Sequence, residues 1–288
     1  LEWQEKPAPV IATVEQGSLA PFSDTFAADY ERDIKIFSGE EQAIYPSSGK
    51  RVRFLRKNSA EPTHQLGELL DYFDERYKQL GIETERQSFE WRGIPQANLV
   101  AKIRGTLPPA QNRPVIIADH IDTAFGEDVF KKTGKRVSVP GADDNGTAVA
   151  TLLRAAERFS SKNGAVPPKH DIWLVHLTGE EYPADDLGAR YLMRELRRKK
   201  QDLSGFVLLD MAGFNKKGET SFQINPGGSE ASLQLASLAL GATKQAAPQM
   251  QPFVRMRNDL KSYLYNTDGL IFEREGYPVV FFNEKMNR

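Results

Sequence analysis

Val115-Ile116-Ile117-Ala118-Asp119-His120-Ile121-Asp122 is an apolar run that closes on polar residues. A run this short and this apolar reads as a strand buried on both faces of a sheet. His120 and Asp122 then fall where the strand ends. Two further stretches repeat the pattern. Asp171 to Leu177 leads into Gly179-Glu180-Glu181, and Phe206 to Leu209 leads into Asp210. Between them, Gly141-Ala142-Asp143-Asp144-Asn145 precedes a segment with Val149, Leu152, Leu153 and Ala156 at helical spacing.

The rest of the chain fits around these runs. Leu66, Leu69, Leu70, Phe73, Tyr77 and Leu80 recur as one face of a helix, with Gly81 as its stop. Leu187 to Leu196 and Ala231 to Leu240 also read as helices. Glu83 to Trp91 reads as an edge strand, Asn98 to Ile103 as a central strand and Pro278 to Phe282 as the last one. Residues 123–140 read as a polar loop or hairpin around Thr133-Gly134-Lys135. Strands alternating with helices predict an α/β fold, a three-layer αβα sandwich on a mostly parallel mixed central sheet. In such sheets, sites form beyond the carboxyl ends of the strands, which is where the polar motifs lie. Residues 1–60 have no clear period and carry Pro7, Pro9, Pro21 and Pro46 as breakers. They read as an N-terminal extension packed on a domain spanning 61–288.

Composition narrows the function classes. The chain has 288 residues, 40% of them hydrophobic, and a net charge of −1. That balance gives no reason to expect nucleic acid as a partner. Apolar runs such as Val279-Val280-Phe281-Phe282 are too short to span a bilayer. With no cysteine, thiol catalysis and thiolate metal ligation are excluded.

Acid pairs such as Asp143-Asp144 or Glu180-Glu181 are, taken singly, usually solvated surface charge. Their joint occurrence with a histidine, each after a strand, suggests a metal centre instead. Zinc accepts imidazole nitrogen and carboxylate oxygen, and paired zinc ions about 3.5–4 Å apart can share a bridging carboxylate. In this reading His120 and Asp210 ligate one ion, Glu181 the other, and Asp144 bridges. Asp122 orients the imidazole, and Glu180 remains as a general base. The glutamates need a turn if one is to reach metal and the other substrate, and Gly179 permits it. His176 reads as a buried, hydrogen-bonded core residue. Tyr263 and Tyr265 read either as core or as donors near the site.

The order His-x-Asp, Gly-Ala-Asp-Asp-Asn, Gly-Glu-Glu and Leu-Asp-Met resembles the co-catalytic di-zinc aminopeptidase family, whose relatives include glutamate carboxypeptidase and glutaminyl cyclase. The likeness runs from about Pro62 to Glu284 and includes Asn98 and Gly276-Tyr277-Pro278-Val279-Val280. It implies a zinc-exopeptidase fold, hydrolysis of N-terminal residues from peptide or small aminoacyl substrates, and the same ligand and base assignments. It also implies a cis peptide at Asp144-Asn145. Carboxypeptidase or dipeptidase activity, cyclase-like acyl transfer and a non-catalytic binding role are the alternatives on this fold. Two departures stand out. The family's late histidine ligand has no counterpart in the run to Arg288, so the domain is expected to lack its C-terminal segment. Two zinc ions are expected if that ligand is supplied and one complete site otherwise. At Asn266-Thr267-Asp268-Gly269, Asp268 is kept but Gly269 stands where relatives often have a side chain. No apolar leader is visible at Leu1 to Pro7. The expected location is periplasmic or secreted, with the cytoplasm as the alternative.

Overall fold

The computed structural model describes residues 19–214 and 218–284. In chain order the helices are α1 (Phe26–Ser38), α2 (Leu66–Gln79), α3 (Glu127–Thr133), α4 (Gly146–Phe159), α5 (Leu187–Lys199), α6 (Glu230–Ala246) and α7 (Gly269–Arg274). The strands are β1 (Ala43–Ile44), β2 (Arg51–Val52), β3 (Glu83–Trp91), β4 (Ile94–Ile103), β5 (Val115–His120), β6 (Ile172–Leu177), β7 (Gly205–Leu209), β8 (Ser221–Pro226), β9 (Gln251–Val254) and β10 (Val279–Glu284).

Eight strands form one sheet in the order β3-β4-β6-β5-β7-β10-β8-β9, and β1 and β2 form a separate antiparallel pair. The centre is parallel, since β5 runs with both β6 and β7, and β7 with β10. The β3–β4, β4–β6 and β8–β10 pairs are antiparallel. The sheet is therefore mixed, as the alternation of elements predicts.

Alternate residues of the central strands feed two apolar layers, because successive side chains leave a strand on opposite faces. Leu99, Ala101 and Leu174 face α1, α2 and α4 with Phe37, Leu69, Phe73 and Leu152. Val100, Ile116, Ala118, Val175, Phe206 and Phe281 face α5 and α7 with Leu192, Leu196 and Phe272. Tyr263 and Tyr265 pack against this second layer. Burial on both sides is why these strands read as unbroken apolar runs.

The N-terminal region differs from its irregular reading. Residues 26–38 form α1, whose Ile36 and Phe37 are buried in the first layer together with Phe54. Arg154 of α4 and Arg76 of α2 both pair with buried Asp33 on α1, at 2.7 Å and 2.9 Å. The proline breakers at 7 and 9 lie outside the described residues. The 123–140 loop contains α3 and closes through a Phe125–Ser138 bridge. Among the described residues no helix is long and apolar enough to cross a membrane.

Candidate metal centre

Three adjacent central strands, in the order β6-β5-β7, end at the same place, and each delivers acidic or imidazole side chains there. His120 is the last residue of β5, Asp210 follows β7, and Glu180 and Glu181 follow β6. Asp144 comes from the loop that leads into α4.

His120, Asp144 and Asp210 offer donor atoms that all lie within 4.8 Å of one another. The His120 Nε2 atom is 3.3 Å from Asp144 Oδ1, 3.4 Å from Asp210 Oδ1 and 3.9 Å from Glu180 Oε2. His120 and Asp210 are buried, whereas the Asp144 side chain is 43% exposed. Asp144 Oδ1 and Glu181 Oε1 are nevertheless shielded from solvent and have no hydrogen-bond partner. Buried carboxylate oxygens are normally bonded. Two orphans beside an imidazole nitrogen fit a site built for a cation. Glu181 lies outside the three-residue group.

Electrostatics supports the same fit. Burial pushes Glu181 up to about 8, reinforced by the nearby Asp144 carboxylate. Burial also raises Glu180 well above the ordinary carboxylate range; His120 opposes this, while Asp210, Asp268 and Glu181 add to it. Asp210 is raised by burial against the pull of His120. Burial lowers His120, but Glu180, Asp210, Asp122 and Asp144 outweigh it and hold its pKa well above the ordinary value. Carboxylates crowded this closely in a dry cleft repel one another. A divalent cation would relieve that repulsion, and the nitrogen and oxygen donors present suit zinc.

The backbone around the site is fixed locally. Gly179 adopts φ +83°, and a Cβ there would press on Leu187 and Ala184 at 3.1 Å and 3.2 Å. Glycine therefore makes the turn that separates the two glutamates. Gly141 has φ +63°, and a Cβ there would sit 2.4 Å from Thr123 Cγ2. The Asp144-Asn145 peptide is cis. Asn145 Nδ2 donates to Leu209 O at 3.1 Å, and Gly213 N–H donates to Asp143 Oδ1 at 2.8 Å. Asp143 thus fastens the loop after Asp210 and contributes nothing to the donor cluster. Asn98 joins β4 to the glutamate turn, donating to Gly188 O at 2.9 Å and accepting from Thr178 N–H at 3.2 Å.

Asp122 has a different geometry from the one expected. The His120 Nδ1 atom meets the backbone carbonyl of Asp122 at 3.1 Å, while the nearer carboxylate oxygen is 3.7 Å away. The carboxylate instead accepts the N–H groups of Gly179, Glu180 and Glu181 at 2.8, 3.1 and 3.3 Å. His176 is the buried core residue its strand position suggests. Its Nδ1 meets Asp119 Oδ1 at 2.8 Å and its Nε2 meets the Tyr77 hydroxyl at 2.7 Å.

Sequence reasoning named Asp268 without its burial and missed Lys57. Asp268 is fully buried beside the site, and both its carboxylate oxygens lack partners. Burial, then Asp186, raises its pKa well above the usual range. Lys57 is completely buried, with Nζ donating to Phe54 O at 3.1 Å, and burial lowers its pKa to about 8. A single isolated charge carries no periodic signal that would mark either one.

An αβα sandwich with a His/Asp/Asp donor cluster at the carboxyl ends of adjacent central strands has the architecture of a zinc-peptidase-type fold. Residues 98–288 match Peptidase family M28, and the chain belongs to that family. It is 28% identical over 172 residues to the uncharacterized protein YfbL of Escherichia coli strain K12, covering 57% of this chain and 49% of YfbL. The chain thus spans about half the length of that curated relative. The fold is similar to the crystal structure of the LapA aminopeptidase of Legionella pneumophila, with TM-score 0.64 and 14% identity, over 98% of this chain and 69% of LapA. It is also similar to a glutaminyl cyclase of Fimbriiglobus ruber, with TM-score 0.63 and 17% identity, over 98% of this chain and 88% of the cyclase.

Proposed function

We propose that this chain is a zinc-dependent exopeptidase that removes N-terminal residues from peptides, with Glu180 as general base. The observation that carries the reading is Glu180 Oε2 standing 3.9 Å from His120 Nε2, at the edge of the His120–Asp144–Asp210 donor cluster. His120, Asp144 and Asp210 would hold one ion. Asp144 and Glu181 would offer oxygens to a second.

Zinc bound here supplies Lewis-acid polarisation of the scissile carbonyl and of water. Glu180 is only 13% exposed, so its carboxylate works in a poorly solvated cleft. It takes the proton from the attacking water and returns it to the departing amine, so one group serves as base and then as acid. Asp122 holds the Glu180 backbone in place. Family membership supports peptide substrates. The aminopeptidase likeness favours a free α-amine at the cleaved residue.

The test is Glu180→Gln in the zinc-loaded chain, assayed on leucine p-nitroanilide, an N-acetylated counterpart and a peptide with N-terminal glutamine. Hydrolysis of the free-amine substrate should fall by about 10²–10⁴-fold with zinc content unchanged. Near wild-type turnover in the variant would remove Glu180 from the mechanism. Preference for the N-acetylated substrate would point to carboxypeptidase chemistry, and ring closure of the glutamine peptide to acyl transfer.

A further inference from the structure

The 123–140 segment joins the strand bearing His120 to the loop bearing Asp144, and it holds a cation in an unusual setting. The Arg136 guanidinium carbon lies 4.9 Å from the ring centre of Phe125, 5.6 Å from Phe130 and 5.5 Å from Tyr182. Phe125 and Phe130 meet edge to face at 5.2 Å. Tyr182 directly follows Glu181 in the chain, and Phe125 is three residues beyond Asp122. The cage is therefore built on the same two arms that bring Glu181 and His120 to the site. It is also anchored. Gly126 N–H donates to Val137 O at 2.9 Å and Val139 N–H to Ala124 O at 3.0 Å. The Ser138 hydroxyl accepts from the N–H groups of Lys57 and Asn58 at 2.8 Å each.

Among the described residues no carboxylate pairs with Arg136. Its Nη1 is shielded from solvent and makes no hydrogen bond. Buried Arg154 and half-buried Arg76 both pair with Asp33. A guanidinium fork matches a carboxylate through two parallel hydrogen bonds, and aromatic rings fix its plane while leaving its N–H edge unspent. Around the donor cluster, Asp144, Glu180, Glu181, Asp210 and Asp268 would repel an acidic substrate. A fixed cation carried on the segment between His120 and Asp144 would offset that repulsion for a carboxylate in one position only.

We infer that Arg136 is a specificity determinant that binds a carboxylate of the peptide substrate, held for that purpose on Phe125, Phe130 and Tyr182. The inference rests on the peptidase reading. The carboxylate is either an acidic side chain or the free α-carboxylate of a short peptide.

The experiment uses the full chain, zinc-loaded, as wild type, Arg136→Met and Arg136→Lys. The substrates are glutamate and glutamine p-nitroanilides, Leu-Gly and Leu-Gly-amide. Arg136→Met should raise KM about 10–100-fold for the carboxylate-bearing member of one pair, with kcat little changed and its neutral partner unaffected. Arg136→Lys should recover part of the loss. The affected pair identifies the source of the carboxylate. Calorimetric titration of the same compounds into Glu180→Gln and Glu180→Gln/Arg136→Met reads binding without turnover and should show the same selective loss. Equal effects of Arg136→Met on charged and neutral partners, or none, would overturn the inference while leaving the peptidase reading intact. If the wild type cleaves none of the compounds, the peptidase reading fails, and the titration alone decides whether Arg136 binds a carboxylate.

Discussion

The carboxylate of Asp122 accepts the backbone N–H of Glu180 at 3.1 Å, and the same oxygen accepts the N–H of Gly179 at 2.8 Å. The residue two positions beyond His120 therefore sets the path of the chain that carries Glu180. Its own backbone carbonyl meanwhile sits 3.1 Å from the His120 imidazole. One aspartate thus ties the β5 end to the β6 end, and the relative position of His120 and Glu180 depends on it.

Asp122→Asn keeps the size of the side chain but loses its charge and half its acceptor capacity. Turnover should fall about 10–100-fold, the range seen when outer groups of a metal site are altered. The His120 contact runs through the backbone, so zinc content should change less than kcat. Metal analysis beside steady-state kinetics checks both. Equal loss of zinc and of activity would return Asp122 to a role in holding the imidazole.

Zinc should stabilise the chain as well as activate it. Without a cation, the raised pKa values of Glu181 and Asp210 reflect buried carboxylates that resist ionisation. A ligand that binds only the folded state at 1,000 times its Kd adds about 4 kcal/mol. Chelation should therefore abolish peptidase activity and lower Tm, and added zinc should restore both. In His120→Ala and Asp210→Ala the zinc-induced rise in Tm should shrink sharply. An unchanged rise in both variants would place the ion elsewhere.

At the opposite end of the sheet, Asp171 precedes β6 and offers a pH-dependent stability test remote from the metal. Burial would raise its pKa, but Gly105 N–H, Asn112 and the Arg104 guanidinium overcome burial and hold it below the ordinary value. Gly105 N–H and Asn112 Nδ2 lie 2.8 Å and 2.7 Å from its Oδ1. A depressed carboxylate pKa stabilises the fold fully above the unfolded value of about 3.9, and the gain is lost as pH falls through the folded value. Asp171→Asn should cost about 1–2 kcal/mol at pH 7, and the gap from wild type should narrow as the solution is made strongly acidic, through the folded pKa. Urea unfolding at neutral and at strongly acidic pH measures it. A gap independent of pH would show that shape rather than charge is at stake.

Phe37 tests whether α1 belongs to the domain core. It is 1% exposed and lies in the apolar layer with Phe54, Leu69 and Phe73. Phe37→Ala should destabilise the protein by about 3–5 kcal/mol, seen as a lower urea midpoint with an unchanged slope. A loss under about 1 kcal/mol would make α1 a detachable extension.

The centre of the fold was legible because its signals are local. Val115–His120, Ile172–Leu177 and Gly205–Leu209 are buried on both faces, so apolar runs mark them without any knowledge of their neighbours. The polar residues just beyond those runs had few reasons to be there except a shared site. The segments that escaped are ones whose burial depends on distant partners. In α1, Asp33 is buried because Arg76 and Arg154 meet it from two other helices, and its polar sequence gives no hint of that. Strand β9 has only four residues and lies at the edge of the sheet with Phe253 and Val254 exposed, so its sequence carries little signal. The three amides that the Asp122 carboxylate accepts escaped for a related reason, since spacing shows which groups are close in sequence but not which backbone amides a turn will present.

His120, Glu181 and Asp210 follow three neighbouring strands in the middle of an eight-stranded sheet, and none comes from its margins. Growth or loss of chain at β3 or β9 would leave the spacing of those three residues untouched. The geometric requirement of the cluster is thus met at the midline of the sheet, and the outer strands carry none of it.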